Sequence, residues 1–279
     1  MHRTDTLALL YAIGIARIRA DLYSAPMFEL TPTLIALLIS TGIIAGIINT
    51  LAGGGSNLTL PALMVLGLPA DIANASNRVS ILFQCIVGAR GFSRHGKLDT
   101  RDGMDILKPT LVGAAIGALS ASFLPTSILK PTLLLAMVTM ALLILIRPSV
   151  VAPPPGEPNR TMRDTPGARW VLLLAGIYGG FVQAGVGFIL IAALAGSLRY
   201  DLVRSNALKL LCTGALTAIA MVIFIWRDQI AWIPALLVAA GSMLGAQIGV
   251  RLAINASQQT LKWFLFVMTL AASAAAIWL

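Results

Sequence analysis

The sequence predicts an all-α polytopic membrane protein: two homologous, inverted helical repeats with glycine-broken helices at the centre. Composition is the first reason. Of 279 residues, 58% are hydrophobic and 11% charged, with a mean hydropathy of +0.88, whereas soluble domains run at about 45–50% apolar and 25% charged. So much apolar surface cannot be hidden in one water-facing domain, which excludes a soluble enzyme, a secreted disulfide scaffold and a disordered tail. The second reason is a series of apolar runs of spanning length. The third is that the same landmarks recur on either side of a proline-rich divide.

Residues 1–32 read as an N-terminal extension. Its apolar stretch Leu7–Ala16 is followed at once by Arg17, Arg19 and Asp21, so it is too short to span and lacks the small-residue cleavage site of a signal peptide. An interfacial helix with snorkelling arginines is expected there. From residue 33 the spanning or near-spanning runs are Thr33–Ala52, Ile72–Gly91, Met104–Leu124, Ile128–Ile146, Trp170–Ala184, Leu202–Trp226, Ile230–Leu252 and Leu261–Trp278. Two shorter pieces, Leu58–Leu68 and Phe188–Leu198, each follow a glycine-rich break. Irregular backbone at membrane depth is tolerated only where protein or a cavity satisfies its polar groups, so the breaks are the first place to look for function.

The segment 148–169, rich in proline and charge, reads as a linker between a first transmembrane repeat, 33–147, and a second, 170–279. Setting one half on the other puts Gly53–Gly55 over Gly185–Gly187, Asp71 over Asp201, and the Gly113/Gly117 spacing over Gly241/Gly245. Arg90, Arg94, Lys97, Arg101 and Lys108 crowd a loop whose counterpart holds only Arg227, beside Asp228. By the positive-inside rule the first loop and the linker are cytoplasmic. Three full crossings per half then make the repeats inverted, although this leaves Arg17 and Arg19 outside.

At the first break, Asn49 precedes Gly53, Gly54 and Gly55, and Ser56 and Asn57 follow; at the second stand Gln183, Gly185 and Gly187. Glycines followed by Ser and Asn suit the end of one helix and the capping of the next. Two half-helix N-termini facing each other would form an anion site. Arg78 and Lys209 lie about two turns inside the helices that begin at Asp71 and Asp201. Asn74, Ser76 and Asn77, and in the second half Ser205 and Asn206, add neutral donors on the same turns. An intramembrane charge faces a cavity or the bundle interior as a rule, so both cations read as substrate ligands. Snorkelling to an interface, or pairing with Asp71 and Asp201, stays open for them; Asp71 and Asp201 themselves read as helix caps. Close helix packing stays open for the glycines, and is the preferred reading of Gly113, Gly117, Gly241 and Gly245.

The inventory also argues by what it lacks. No Asp or Glu sits in the middle of a spanning run, and His95 lies in a charged loop. No catalytic residue, cofactor or metal is expected, since Cys85, Cys212, His2 and His95 make a poor ligand set. The net charge of +9 follows the positive-inside pattern with no basic-aromatic stripe, which argues against nucleic acid. The partners expected are a small anion and the lipid bilayer, and a homodimer is allowed.

The run from Ala45-Gly46 through Gly53-Gly54-Gly55, then Pro61, Gly67, Ala73-Asn-Ala-Ser76 and Gly96-Lys97-Leu98-Asp99, resembles the first-half signature of the sulfite exporter TauE/SafE family. Gly185, Gly187 and Asp201 are similar to that family's weaker second repeat. The resemblance spans nearly all of 33–279. It implies a bacterial inner-membrane permease that exports sulfite, organosulfonates or related anions. Asn57 and the Asn77-Arg78 pair lie outside that signature, so another small organic or inorganic anion stays open as cargo. A non-transporting sensor or assembly protein, with a polar core that is only structural, is the rival function.

Overall fold

The computed structural model describes residues 31–98, 100, 103–133, 135, 139, 160–162, 164–257, 260 and 263. Among them the only regular structure is helical: α1 (Pro32–Leu51), α2 (Ser56–Val65), α3 (Ala70–Arg94), α4 (Gly103–Phe123), α5 (Gly167–Phe181), α6 (Val186–Ile191), α7 (Leu202–Trp226) and α8 (Trp232–Asn255). A further helix starts at residue 126 and is described to 133. α6 runs on into a π-helical turn, Ala192–Ser197. The N-terminal extension, the expected helix Leu261–Trp278 and most of both Ile128–Ile146 and the linker lie outside the described residues. Ala36–Leu279 form one compact unit; Met1–Ile35 form a second, of which residues 31–35 at the start of α1 are described.

Among the described residues four helices, α1, α4, α7 and α8, are long and apolar enough to cross a membrane. Large apolar side chains on them face outward, among them Leu37 and Ile44, Val112 and Ile116, Val222, and Leu244 and Ile248. Burying such an exterior requires lipid. α3 is as long as α7 but polar in its first turns, and there it is enclosed: every residue from Ala70 to Ile81 is buried. α3 and α7 pack on each other at the centre. This arrangement suits helices that carry charge where lipid would penalise it.

The described elements recur in one order: helix, break, short helix, long helix, helix. They are also exchanged. α4 packs on α5 and α7, and α8 packs on α3. Between α4 and α5, a Cβ at Gly113 or Gly117 would strike the carbonyl oxygens of Leu173 or Ile177, and one at Gly176 or Gly180 those of Thr110 or Ala114. Between α8 and α1, Gly241 and Gly245 lie in the same way against the carbonyls of Ile39 and Ile43. These glycines therefore serve close helix approach. Two apolar core clusters among the described residues mix the two halves; one joins Leu51, Ile81 and Phe92 to Phe188, Leu210 and Val250. The tail of the linker is docked as well: the Arg160 N–H donates to the Leu198 carbonyl at 2.9 Å, and Met162 is buried. Next to it the Thr161 hydroxyl and N–H donate to Asp164 Oδ2, at 2.7 and 3.1 Å, which holds that carboxyl below its ordinary range.

Two capping expectations need correction. Asp201 caps α7, accepting from the Val203 and Arg204 N–H groups at 3.0 and 2.9 Å. Asp71 does not cap α3: Pro69 holds the cap position, and Asp71 lies inside the first turn, accepting from the Thr126 hydroxyl at 3.5 Å. Proline there fixes the entry of the chain and leaves the carboxylate two residues past the cap position, already inside the helix, where it accepts from none of the first N–H groups. Ser56 and Asn57 do not cap α2 either. Gly55 is the cap residue and Ser56 already lies in the helix.

Candidate functional site

Each break ends its first helix in the same way. In the first half the Ala52 and Gly53 N–H groups both donate to the Ile48 carbonyl, at 2.7 and 3.2 Å. In the second, Val182 and Gln183 both donate to the Tyr178 carbonyl, at 2.8 and 3.4 Å. The left-handed residue that closes this pattern is Gly53 (φ 101°) in one half and Gln183 (φ 67°) in the other. Gly53 therefore corresponds to Gln183, and Gly55 to Gly185. The expected register, with Gly53–Gly55 over Gly185–Gly187, is two residues out at the break. Asn49 and Thr50 then correspond to Gly179 and Gly180 by the same shift that relates Asp71 to Asp201.

The two breaks touch. A Cβ built on Gly53 would lie 2.6 Å from Gly187 Cα and 2.7 Å from its carbonyl carbon, and one on Gly187 would strike Gly53 in return. A Cβ on Gly54 would enter the Phe188 ring at 2.7 Å, and one on Gly55 would reach Asn49 Cβ at 2.7 Å and the Ala45 carbonyl. The contact is backbone on backbone, and only glycine permits it.

Around it stand two buried cations. Arg78 is 0% exposed and Lys209 1% exposed, so neither snorkels. Neither is paired to Asp71 or Asp201. Arg78 reaches across to the end of α5. One terminal nitrogen donates to the Gly179 carbonyl at 2.7 Å and to Gln183 Oε1 at 2.9 Å; the other donates to the carbonyls of Gly180 and Phe181 at 2.6 and 3.3 Å. Its guanidinium carbon lies 5.0 Å from the centre of the Phe224 ring. Lys209 reaches across to the end of α1 in the same way. Its Nζ donates to the carbonyls of Asn49 at 2.7 Å and Thr50 at 3.1 Å, and to Asn206 Oδ1 at 2.8 Å. The last carbonyls of a helix have no intrahelical donor, and they form its negative pole. Each half thus supplies the cation that caps the broken helix of the other half.

The remaining expected residues divide into three groups. Gln183 is braced at the break: it accepts from Arg78, and its Nε2 donates to Thr217 Oγ1 at 3.1 Å. Asn74 Nδ2 donates to the Phe181 carbonyl at 3.0 Å, and Asn77 Oδ1 accepts from the Thr59 hydroxyl at 2.6 Å. Ser76 and Ser205 are engaged elsewhere: Ser76 Oγ accepts the Ala231 N–H ahead of α8 at 2.8 Å, and Ser205 Oγ donates to the Tyr200 carbonyl at 3.3 Å. Several buried atoms keep unused hydrogen-bonding capacity, notably the donors Arg78 Nε, Asn77 Nδ2 and Asn206 Nδ2 and the acceptors Asn57 Oδ1 and Asn74 Oδ1. Burying such groups without partners is unfavourable.

Thr59, Thr217, Phe188 and Phe224 also build this region and carry no motif in the sequence. Thr59 and Thr217 show only as hydroxyls inside apolar runs. The carbonyls of Gly179, Gly180 and Phe181 are invisible in a sequence, because every residue carries one.

Comparison with known proteins fits this architecture. The chain is 27% identical over 248 residues to the probable membrane transporter protein ORF9 of a Sinorhizobium species, covering 88% of this chain and 93% of that protein. It is 26% identical over 251 residues to the probable membrane transporter protein YfcA of Escherichia coli K12, covering 89% and 91%. A probable membrane transporter protein of Haemophilus influenzae matches over 85% of this chain and 91% of its own length, at 26% identity. No solved structure matches. Residues 38–276, which include every break and both buried cations, match the family described as sulfite exporter TauE/SafE. The protein is a multi-pass membrane protein of a transporter family, and the chain belongs to the sulfite exporter TauE/SafE family.

Proposed function

We propose that this protein is a permease, not an enzyme, of the bacterial inner membrane, exporting a small sulfur-containing oxyanion such as sulfite or an organosulfonate. The cargo binds between the two glycine-broken helix pairs of inverted repeats, and the linker faces the cytoplasm. The observation that carries this reading is the reciprocal capping of α1 by Lys209 and of α5 by Arg78. At any helix break a negative C-terminal pole and a positive N-terminal pole sit side by side, each equivalent to roughly half a charge, and largely cancel. A cation on the C-terminal pole removes that cancellation. The N-terminal ends of α2 and of the helical segment Val186–Ser197 are then left to act on an anion.

Within the site the roles differ. Lys209 has all three donors engaged and acts through its charge alone. Arg78 adds its one uncommitted N–H, at Nε, and Asn77 and Asn206 add amide donors. Three dispersed donors suit the three oxygens of a sulfite or sulfonate. Alternating access moves the two broken pairs about this site. With no acidic side chain in the middle of the described spans to carry protons, the membrane potential drives export. A monovalent anion leaving a cell that is negative inside gains about 2.3 kcal/mol per 100 mV.

The test is flux in proteoliposomes under a potassium–valinomycin potential, with a panel of sulfite, sulfate, thiosulfate, sulfoacetate and simple carboxylates. Potential-driven movement of a sulfur oxyanion in preference to carboxylates is expected. No flux of any anion, or flux that needs an imposed proton gradient, would overturn the proposal.

A further inference from the structure

Transporters with broken helices hold coupling cations where a helix C-terminus meets unwound backbone, because partnerless carbonyl oxygens converge there. In this chain both such ends are filled from within. Lys209 Nζ has three oxygens at 2.7–3.1 Å, from Asn49, Thr50 and the Asn206 side chain, and an ammonium has three N–H donors to meet them. Arg78 meets four oxygens at the corresponding end of α5. Neither α1 nor α7, the helices joined by Lys209, contains an Asp or Glu. The oxygens that hold its charge are therefore neutral, as in a carbonyl cage for an alkali ion. The Thr50 hydroxyl is also buried and has no partner.

We propose that Lys209 and Arg78 are tethered cations standing where a coupling metal ion would otherwise sit. Removing the Lys209 ammonium opens a site for a potassium or sodium ion, built from the Asn49 and Thr50 carbonyls and Asn206 Oδ1. An ammonium and a potassium ion are close in size, so potassium is the better fit. For transport the consequence rests on the permease reading: cargo moves with no alkali cation bound. The site itself does not depend on that reading.

The experiment compares the full-length wild type with Lys209→Ala in potassium, sodium and choline chloride, reading both thermal unfolding and anion flux. The wild type is expected to have one Tm and one flux in all three salts. Lys209→Ala is expected to be destabilised in choline and to gain roughly 5 °C in potassium at about a hundredfold excess over its dissociation constant. Recovery of folded Lys209→Ala in potassium but not in choline supports the proposal equally. It is overturned if wild-type Tm or flux requires an alkali cation, if Lys209→Ala responds to all three salts alike, or if no salt yields folded Lys209→Ala. Absence of flux in every salt, with the cation response of Lys209→Ala intact, would instead defeat the permease reading and leave the site standing.

Discussion

Arg78 carries five N–H groups; three hold the last carbonyls of α5 and a fourth holds the Gln183 side chain at the break. The residue therefore has two separable duties, capping a helix and presenting charge with one free donor. Arg78→Gln removes both: buried carbonyls left without a donor lower stability by about 1–3 kcal/mol, and anion binding is expected to be lost. Arg78→Lys keeps the charge and up to three bonds but loses the planar fork and Nε. It is expected to unfold near the wild-type temperature while binding sulfite much more weakly; thermal unfolding and anion titration of the two variants separate the duties. Sequence reasoning singled out Arg78 and Lys209 because charge inside a spanning run is conspicuous. It could not find their partners, since these are main-chain oxygens on the opposite half. Ser76 was conspicuous for a similar reason, as a hydroxyl beside two asparagines, yet it serves the entry to α8.

At the level of the helices, the apolar runs located the described elements because lipid demands continuous hydrophobicity. Their ends were less legible. Trp170–Ala184 was expected and α5 stops at Phe181, because Gln183 takes a left-handed conformation that a sequence associates with glycine. The same substitution of roles hid the register between the breaks. Two comparisons test the local energetics. Gly53→Ala adds a Cβ against Gly187 to the strain of φ 101°, whereas Gly67→Ala meets only the strain of φ 90°, with open space around it. The first is expected to lose about 1–3 kcal/mol more than the second, the usual range for overpacking, measured by thermal unfolding in detergent. Asp201→Ala removes a cap that serves two N–H groups and should lower stability by about 1 kcal/mol. Asp71→Ala removes no cap and should fall short of that.

For the molecule as a whole, the halves that are separate in sequence are interleaved in space, through α4 on α5, α8 on α3 and the exchanged cations. A chain cut within 148–159 is therefore expected to assemble when both fragments are made together, and each fragment alone to be degraded; co-purification of the fragments checks this. A cysteine at position 160 is expected to react with an impermeant reagent from the cytoplasmic side only. Periplasmic labelling would reverse the orientation read from the lysines and arginines. A division into halves is the reading suggested by the proline-rich interruption of hydrophobicity at 148–169. The interleaving was not legible, because glycine spacings reveal that a helix is approached closely but not by which neighbour. The meeting of Gly53 and Gly187 has a further consequence, for how the protein can vary. A bulky change at most packed positions can be relieved by a smaller residue opposite. Here both partners already lack a side chain, so neither can shrink to admit the other. In a pairwise mutational library, no change at one of these sites should rescue a change at the other, and the two should behave as a single indivisible position.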